Sequence, residues 1–368
     1  MLAINVLIVA CNRQFINGSA DGTSIDSIEI SSVILETDLG FAIDSLLIKE
    51  VEVGFSGSVI VVKDGRVILQ NGYGYTDSSK TYKITPGTKF YLASTTKGVT
   101  GTVSLLLEKQ NDFSMGDSIK KFFPNAPLEF SNITIHDMLI HQSGLISEYE
   151  TYGYTGLEEN VALIFSHPPA ENPSFNYTGA GYWMTAAVIE KVTQLPYEHY
   201  VHEVLLKPAK MNNTSFWFEI DESNNEEVAQ KTSEFPPNGI APNWGFRASS
   251  GVLTNISDFY KYFKTISDGI ILDTKTIEKL IGPHFYLKSG IGIGYGWYTS
   301  TTNRGTTEIW SRGGEAFGHN SALRWFRDEG VAILILTNCG ALQGDREANR
   351  TVSDKIEKLI FKNAPNKR

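Results

Sequence analysis

The chain has 368 residues, 41% of them hydrophobic and 20% charged, which provides for a sizeable packed core and excludes a disordered or low-complexity polypeptide. Its 32 basic and 41 acidic residues leave a net charge of −9, so nothing in the charge balance marks it for nucleic acid or an anionic membrane face. Two cysteines, Cys11 and Cys339, are too few for a disulfide framework, and the fold must stand on core packing.

In chain order, the apolar run Leu7-Ile8-Val9-Ala10 precedes Cys11 and a polar, Gly/Ser-rich stretch reaching about Ser27. This pattern resembles a bacterial lipoprotein signal, although the run is too short to span a bilayer and lacks a basic flank. An ordinary unstructured N-terminus is the competing reading. The expectation is a signal-like tether over residues 1–27, with a lipid anchor at Cys11 and a place in the cell envelope, followed by one folded domain over 28–368.

Phe41 to Val53 carries Phe41, Leu46, Leu47, Ile48 and Val51 at helical spacing. Two β-branched runs, Ser58–Lys63 and Arg66–Gln70, flank Asp64-Gly65 and predict a hairpin. From Tyr91 to Pro283 the pattern is mainly helical. Strand signals return over Tyr295–Ser300, Thr307–Ser311, His319–Phe326 and Val331–Thr337, and Asp345–Phe361 reads as an amphipathic helix. The predicted fold class is α/β (α+β): one antiparallel sheet built from both ends of the chain (about 41–90 and 291–363) and flanked by helices. A mainly helical lobe (about 91–290) is inserted into it, and the active site falls between the lobes.

The sharpest chemical signal is Ser94-Thr-Thr-Lys97 at the start of the apolar helix containing Val99, Val103, Leu106 and Leu107. Residues i and i+3 share a helix face. The amine therefore reaches the hydroxyl, and the helix N-terminus adds free N–H groups and partial positive charge. Such a pair suits a serine nucleophile with a lysine proton acceptor. A bare N-cap with a surface lysine has the same spelling. Two further segments carry weight: Tyr177, in Phe175-Asn-Tyr-Thr-Gly179, could share the proton, and Arg312-Gly313-Gly314-Glu315 joins a carboxylate-gripping guanidinium to a closely approaching backbone.

With these in order, the chain resembles the serine β-lactamase and penicillin-binding-protein superfamily, in particular its class C-like branch of D,D-peptidases, D-aminopeptidases and esterases. Leu139-Ile-His141-Gln-Ser143-Gly144-Leu145, Leu206-Lys-Pro208-Ala-Lys-Met211-Asn-Asn-Thr214 and Ala248-Ser-Ser-Gly251-Val-Leu-Thr-Asn-Ile-Ser-Asp258 are similar to three further family motifs. The resemblance covers about Phe55 to Asn338. It implies that Ser94 is acylated and that Lys97 and Tyr177 share the general base and acid roles. The backbone N–H groups of Ser94 and Glu315 would form the oxyanion hole, with Gly314 as donor if the register slips by one. No metal or organic cofactor is implied; the expected partner of a monomer is a small-molecule or peptidoglycan-like substrate, namely a D-amino-acid peptide, a β-lactam-like amide or a small ester.

Two positions depart from the family pattern. The tyrosine motif usually continues to an asparagine that touches the lysine and the substrate amide, where this chain has Gly179. The third motif usually begins with Lys or His, where this chain has Arg312, a charge that does not donate a proton at ordinary pH. Both favour a peptidase or esterase over a β-lactamase. They also motivate the alternative of a catalytically weak, penicillin-binding or sensor-like protein. His141 is expected to bond backbone near the cleft and His319 to lie on a strand surface. His199 and His202, i and i+3, lack a third ligand for a metal. Tyr149, Tyr152, Tyr182, Trp183 and Trp310 are candidates for lining the pocket.

Overall fold

The computed structural model describes residues 25, 28–110, 113–145, 153–171, 173–219, 226–230, 242–316, 318–342 and 346–362; Cys11, Tyr149 and Tyr152 lie outside them. The hairpin forms as its sequence dictates. Asp64 (φ 52°) and Gly65 (φ 75°) both adopt left-handed conformations, the geometry that a two-residue turn needs to match strand twist. Gly57–Lys63 and Arg66–Tyr73 pair across it.

These strands join the C-terminal ones in a single antiparallel sheet. The nine strands run in the order Val33–Ile34, Arg66–Tyr73, Gly57–Lys63, Val331–Thr337, His319–Phe326, Thr307–Ala316, Tyr298–Thr301, Gly292–Ile293 and Phe285–Tyr286. Alternation along the central strands divides the core in two. Val59, Val61, Ile333 and Ile335 pack beneath the helices Asp38–Glu52 and Ala348–Ile360. Ile60, Val62, Leu334 and Leu336 face the other way, into the large core of the helical region.

The first helix differs from the pattern read in the sequence. It is capped by Thr37, whose Oγ1 accepts from the Gly40 N–H at 3.1 Å. It buries Ile43, Leu47 and Glu50 and leaves Phe41 and Ile48 more than half exposed. Glu50 can point inward because Lys355 of the last helix reaches it at 2.6 Å. Ile25 and Ile28 are buried in the large core.

Within the helical region lies an unforeseen small sheet, Phe90–Tyr91, Val252–Thr254 and Ser215–Phe216. It holds together two of the family-like segments. Asp258, fully buried, accepts from the Asn213 N–H at 2.6 Å and from Thr214 Oγ1 at 3.2 Å, while Lys261 pairs with its other oxygen at 2.8 Å. These motif residues are structural.

Candidate active site

Ser94 stands in a single 3₁₀ turn, Ala93–Thr95, that feeds the helix Thr96–Lys109. Ala93 just before it has φ 47°, a left-handed conformation that costs an alanine on the order of 1–2 kcal/mol. Surrounding contacts hold the turn in place. Ser321 Oγ donates to the Leu92 carbonyl at 2.6 Å and lies 2.8 Å from Thr95 Oγ1, and the Leu92 N–H donates to the Val252 carbonyl at 2.8 Å. The helix behind it is buried on every side from Thr96 to Leu105.

Lys97 is only 3% exposed. Its Nζ donates to Ser94 Oγ at 3.3 Å and to the Ser249 carbonyl at 3.1 Å. Two phenol rings close over it, with Nζ 5.1 Å from the Tyr177 centroid and 5.5 Å from that of Tyr182. Tyr182 is buried and its hydroxyl donates to the Leu139 carbonyl at 2.7 Å. Tyr177 is 43% exposed, so its ring forms a wall between Lys97 and solvent.

His141 supports that wall from below, its ring 4.6 Å from the Tyr177 ring. The Thr178 N–H donates to its Nδ1 at 3.3 Å and the Asn176 N–H to its carbonyl at 2.9 Å, so one residue fixes the backbone on both sides of Tyr177. Burial, reinforced by the Lys97 charge, pushes the His141 pKa down to about 3, leaving a neutral ring that accepts at Nδ1.

The Thr307–Ala316 strand forms the other wall. Its partner Tyr298–Thr301 stops at Trp310, leaving the edge beyond open. Gly313 lies against the Ser94 turn: a Cβ there would fall 2.7 Å from Ser321 Oγ, 2.8 Å from Ala93 Cβ, and closer still to the Leu92 carbonyl oxygen. Asn349, fully buried, donates from Nδ2 to the Gly313 carbonyl at 3.1 Å and to that of Ser321 at 2.7 Å. In a trans peptide C=O and the next N–H point in opposite directions. The Gly314 N–H is therefore aimed away from Asn349, toward the open edge. A bulge between Gly313 and Ala316 follows, and the Glu315 backbone lies within it.

A match to the Beta-lactamase family covers residues 48–357. The chain belongs to that family. PbpX of Bacillus subtilis (strain 168) is 26% identical over 312 residues, 84% of this chain and 76% of PbpX. Protein flp of Staphylococcus aureus (strain MRSA252) is 27% identical over 247 residues, 62% of this chain, and the match spans about half (49%) of that protein. The D-amino acid amidase of Ochrobactrum anthropi SV3, solved with D-phenylalanine, superposes with a TM-score of 0.75 at 22% identity, over 89% of this chain and 99% of the amidase. That similarity establishes a shared fold.

In this Beta-lactamase-family chain, both departures have a structural setting. Position 179 is glycine beside the Trp183 indole: a Cβ would come within 3.0 Å of Trp183 Nε1 and 3.2 Å of Cε2. At the third motif, Gly313 is the residue packed on the nucleophile turn, so the inward position two residues earlier is Ser311, whose Oγ donates to the Gly296 carbonyl at 3.0 Å. Arg312 belongs to the alternate face. It pairs with Glu347 at 3.4 Å, lies 5.5 Å from the Trp310 ring, and lines a cavity of about 270 Å³ with Arg324 and Arg350.

Several side chains fall elsewhere than the sequence suggested. His319 is fully buried, not on a strand surface; its Nδ1 accepts from the Tyr91 N–H at 3.0 Å and its Nε2 faces the Gln230 carbonyl at 3.4 Å. His202 pairs with Glu219 at 3.2 Å, and no cluster of three potential metal ligands occurs among the described residues. Sequence reasoning gave no role to Ser249 or Asn349. Ser249 acts through its carbonyl, which any residue supplies, and Asn349 opens a helix remote in sequence from Ser94.

Proposed function

We propose that this chain is a serine hydrolase that works through an acyl-enzyme on Ser94, cleaving amides or esters of D-amino-acid peptides or small esters. The observation that carries this is the buried Lys97 Nζ, held 3.3 Å from Ser94 Oγ and 3.1 Å from the Ser249 carbonyl. As Ser94 Oγ attacks a carbonyl carbon, Lys97 takes its proton. Tyr177, whose ring adjoins Lys97, passes a proton to the leaving nitrogen or oxygen. Water then attacks the ester and the same groups work in reverse.

The developing oxyanion is assigned to the N–H groups of Ser94 and Gly314, in preference to Glu315, because the Asn349–Gly313 bond aims the Gly314 N–H at the open edge. Gly179 has no side-chain amide to offer a substrate, so esters are favoured over β-lactams. The cell-envelope location stays a proposal on the Cys11 segment. Incorporation of a tagged fatty acid, lost in Cys11→Ser, is expected; equal incorporation in both would overturn it.

The test is fluorophosphonate labelling of wild type and Ser94→Ala. It is followed by hydrolysis of p-nitrophenyl butyrate, a D-Ala-D-Ala peptide and nitrocefin. Labelling confined to wild type, with the ester cleaved fastest, is expected. Failure of wild type to label refutes the reading. Stoichiometric labelling by a fluorescent penicillin with no turnover of any substrate would assign the chain a sensor-like role instead.

A further inference from the structure

Trp183 sits on the helix Ala180–Thr193 with its indole buried and wedged between two glycines. A Cβ at Gly179 would approach its Nε1 to 3.0 Å, and one at Gly245 would lie 2.6 Å from its Cδ1 and still nearer Cγ. The Phe246 ring packs at 5.9 Å. The indole is thus packed closely against backbone on two sides. Its N–H donates to Ser249 Oγ at 2.9 Å.

Ser249 is the last residue of the short helix Phe246–Ser249, and its carbonyl is the second acceptor of Lys97. A lysine Nζ carries three donors when charged and one lone pair when neutral. With one N–H committed to the Ser249 carbonyl, rotation about Cε–Nζ is stopped, so the remaining tetrahedral positions of Nζ are fixed in direction, and one of them meets Ser94 Oγ. The position of the Ser249 carbonyl therefore sets the direction of proton transfer. A buried hydroxyl deprived of its donor would repack, and the carbonyl would shift with it.

We infer that Trp183 is a positioning residue for Lys97, acting through Ser249; the inference rests on the acylation of Ser94 proposed above. Trp183 touches neither reacting atom. It governs the rate of the chemical step and leaves substrate capture alone. Groups that orient a reacting group indirectly typically contribute on the order of tenfold in rate.

The experiment follows fluorophosphonate labelling of the full chain over a range of probe concentrations, for wild type, Trp183→Phe, Ser249→Ala and the double variant, with Tm measured on each. Ser249→Ala keeps the carbonyl and the indole ring and removes the Oγ, so it breaks the link from its other end. Expected is a fall in limiting labelling rate of roughly tenfold in each single variant, with the half-saturating concentration unchanged. The double variant should be no slower than the worse single one, because both remove the same bond. Unchanged rates, effects that multiply, or a loss confined to half-saturation overturn the inference while the hydrolase reading stands. If Trp183→Phe does not fold, an unchanged rate in Ser249→Ala alone overturns it. A wild type that does not label overturns both.

Discussion

Gly313→Ala should inactivate this protein without touching a catalytic side chain. The added Cβ would lie 2.8 Å from Ala93 Cβ and 2.7 Å from Ser321 Oγ. Carbon atoms pack at about 3.5–4.0 Å, so strand and nucleophile turn must separate by about 1 Å. Neither yields easily, since Ser321 is committed to Leu92 and Thr95, and Asn349 ties down the Gly313 carbonyl. Overpacking of this kind costs about 1–3 kcal/mol. A displacement of about 1 Å between nucleophile and oxyanion donor lowers reactivity by ~100-fold.

Fluorophosphonate labelling gives the rate, and thermal unfolding gives the stability. The neighbouring glycine supplies a control on stability. A Cβ at Gly314 would meet only the end of the flexible Glu347 side chain, at 3.0 Å, so Gly314→Ala should stay within about 0.5 kcal/mol of wild type. If Gly313→Ala labels within threefold of wild type and melts within a degree of it, the strand is not seated on the turn as described.

Acid should destabilise the fold through His141. Its folded pKa, about 3, lies below the ordinary 6.5, so on acidification the unfolded chain takes up a proton first. That stability is present above pH 6.5 and is lost as pH falls toward 3, by about 1.4 kcal/mol per pH unit. In urea titrations from pH 7 to 4.5, His141→Asn, which tolerates the left-handed backbone at this position (φ 61°), should reduce the slope by about that amount; parallel slopes would refute it. Gly245→Ala should melt well below Gly179→Ala, because their Cβ atoms would approach the Trp183 indole to 2.6 Å and 3.0 Å at the distances quoted; equal Tm values would contradict the wedge. Asp258→Ala strands the buried Lys261 and breaks the bonds from Asn213 and Thr214. A loss of about 3–5 kcal/mol by denaturant titration is expected, and a loss under 1 kcal/mol would show the pair to be dispensable.

Much of this architecture is legible in the sequence wherever one local rule operates alone. Asp64-Gly65 between β-branched runs can only turn tightly, and a serine and lysine three apart at a helix start must share a face. Legibility ends where a residue's meaning depends on something distant. Nothing along the chain marks Glu50 as buried until Lys355 is seen beside it, and His319 reads as surface until the Tyr91 N–H arrives at its ring. Gly179 and the Gly313/Gly314 register are the instructive cases. Read along the chain, the first is a missing asparagine and the second a choice between neighbours. In three dimensions Trp183 packs beside the one, and the Leu92–Ala93 turn packs against Gly313 in the other. Gly179 and Gly313 mark places where another part of the protein packs close to the backbone, and a single sequence records that gap without naming what occupies it. The chemistry of a Ser–Lys site is thus written locally, while its alignment is held by residues from four separate stretches: Trp183, Ser249, Ser321 and Asn349. Variants at these positions, more than at Ser94 itself, will show whether the spacing of the motif or the packing around it limits the rate.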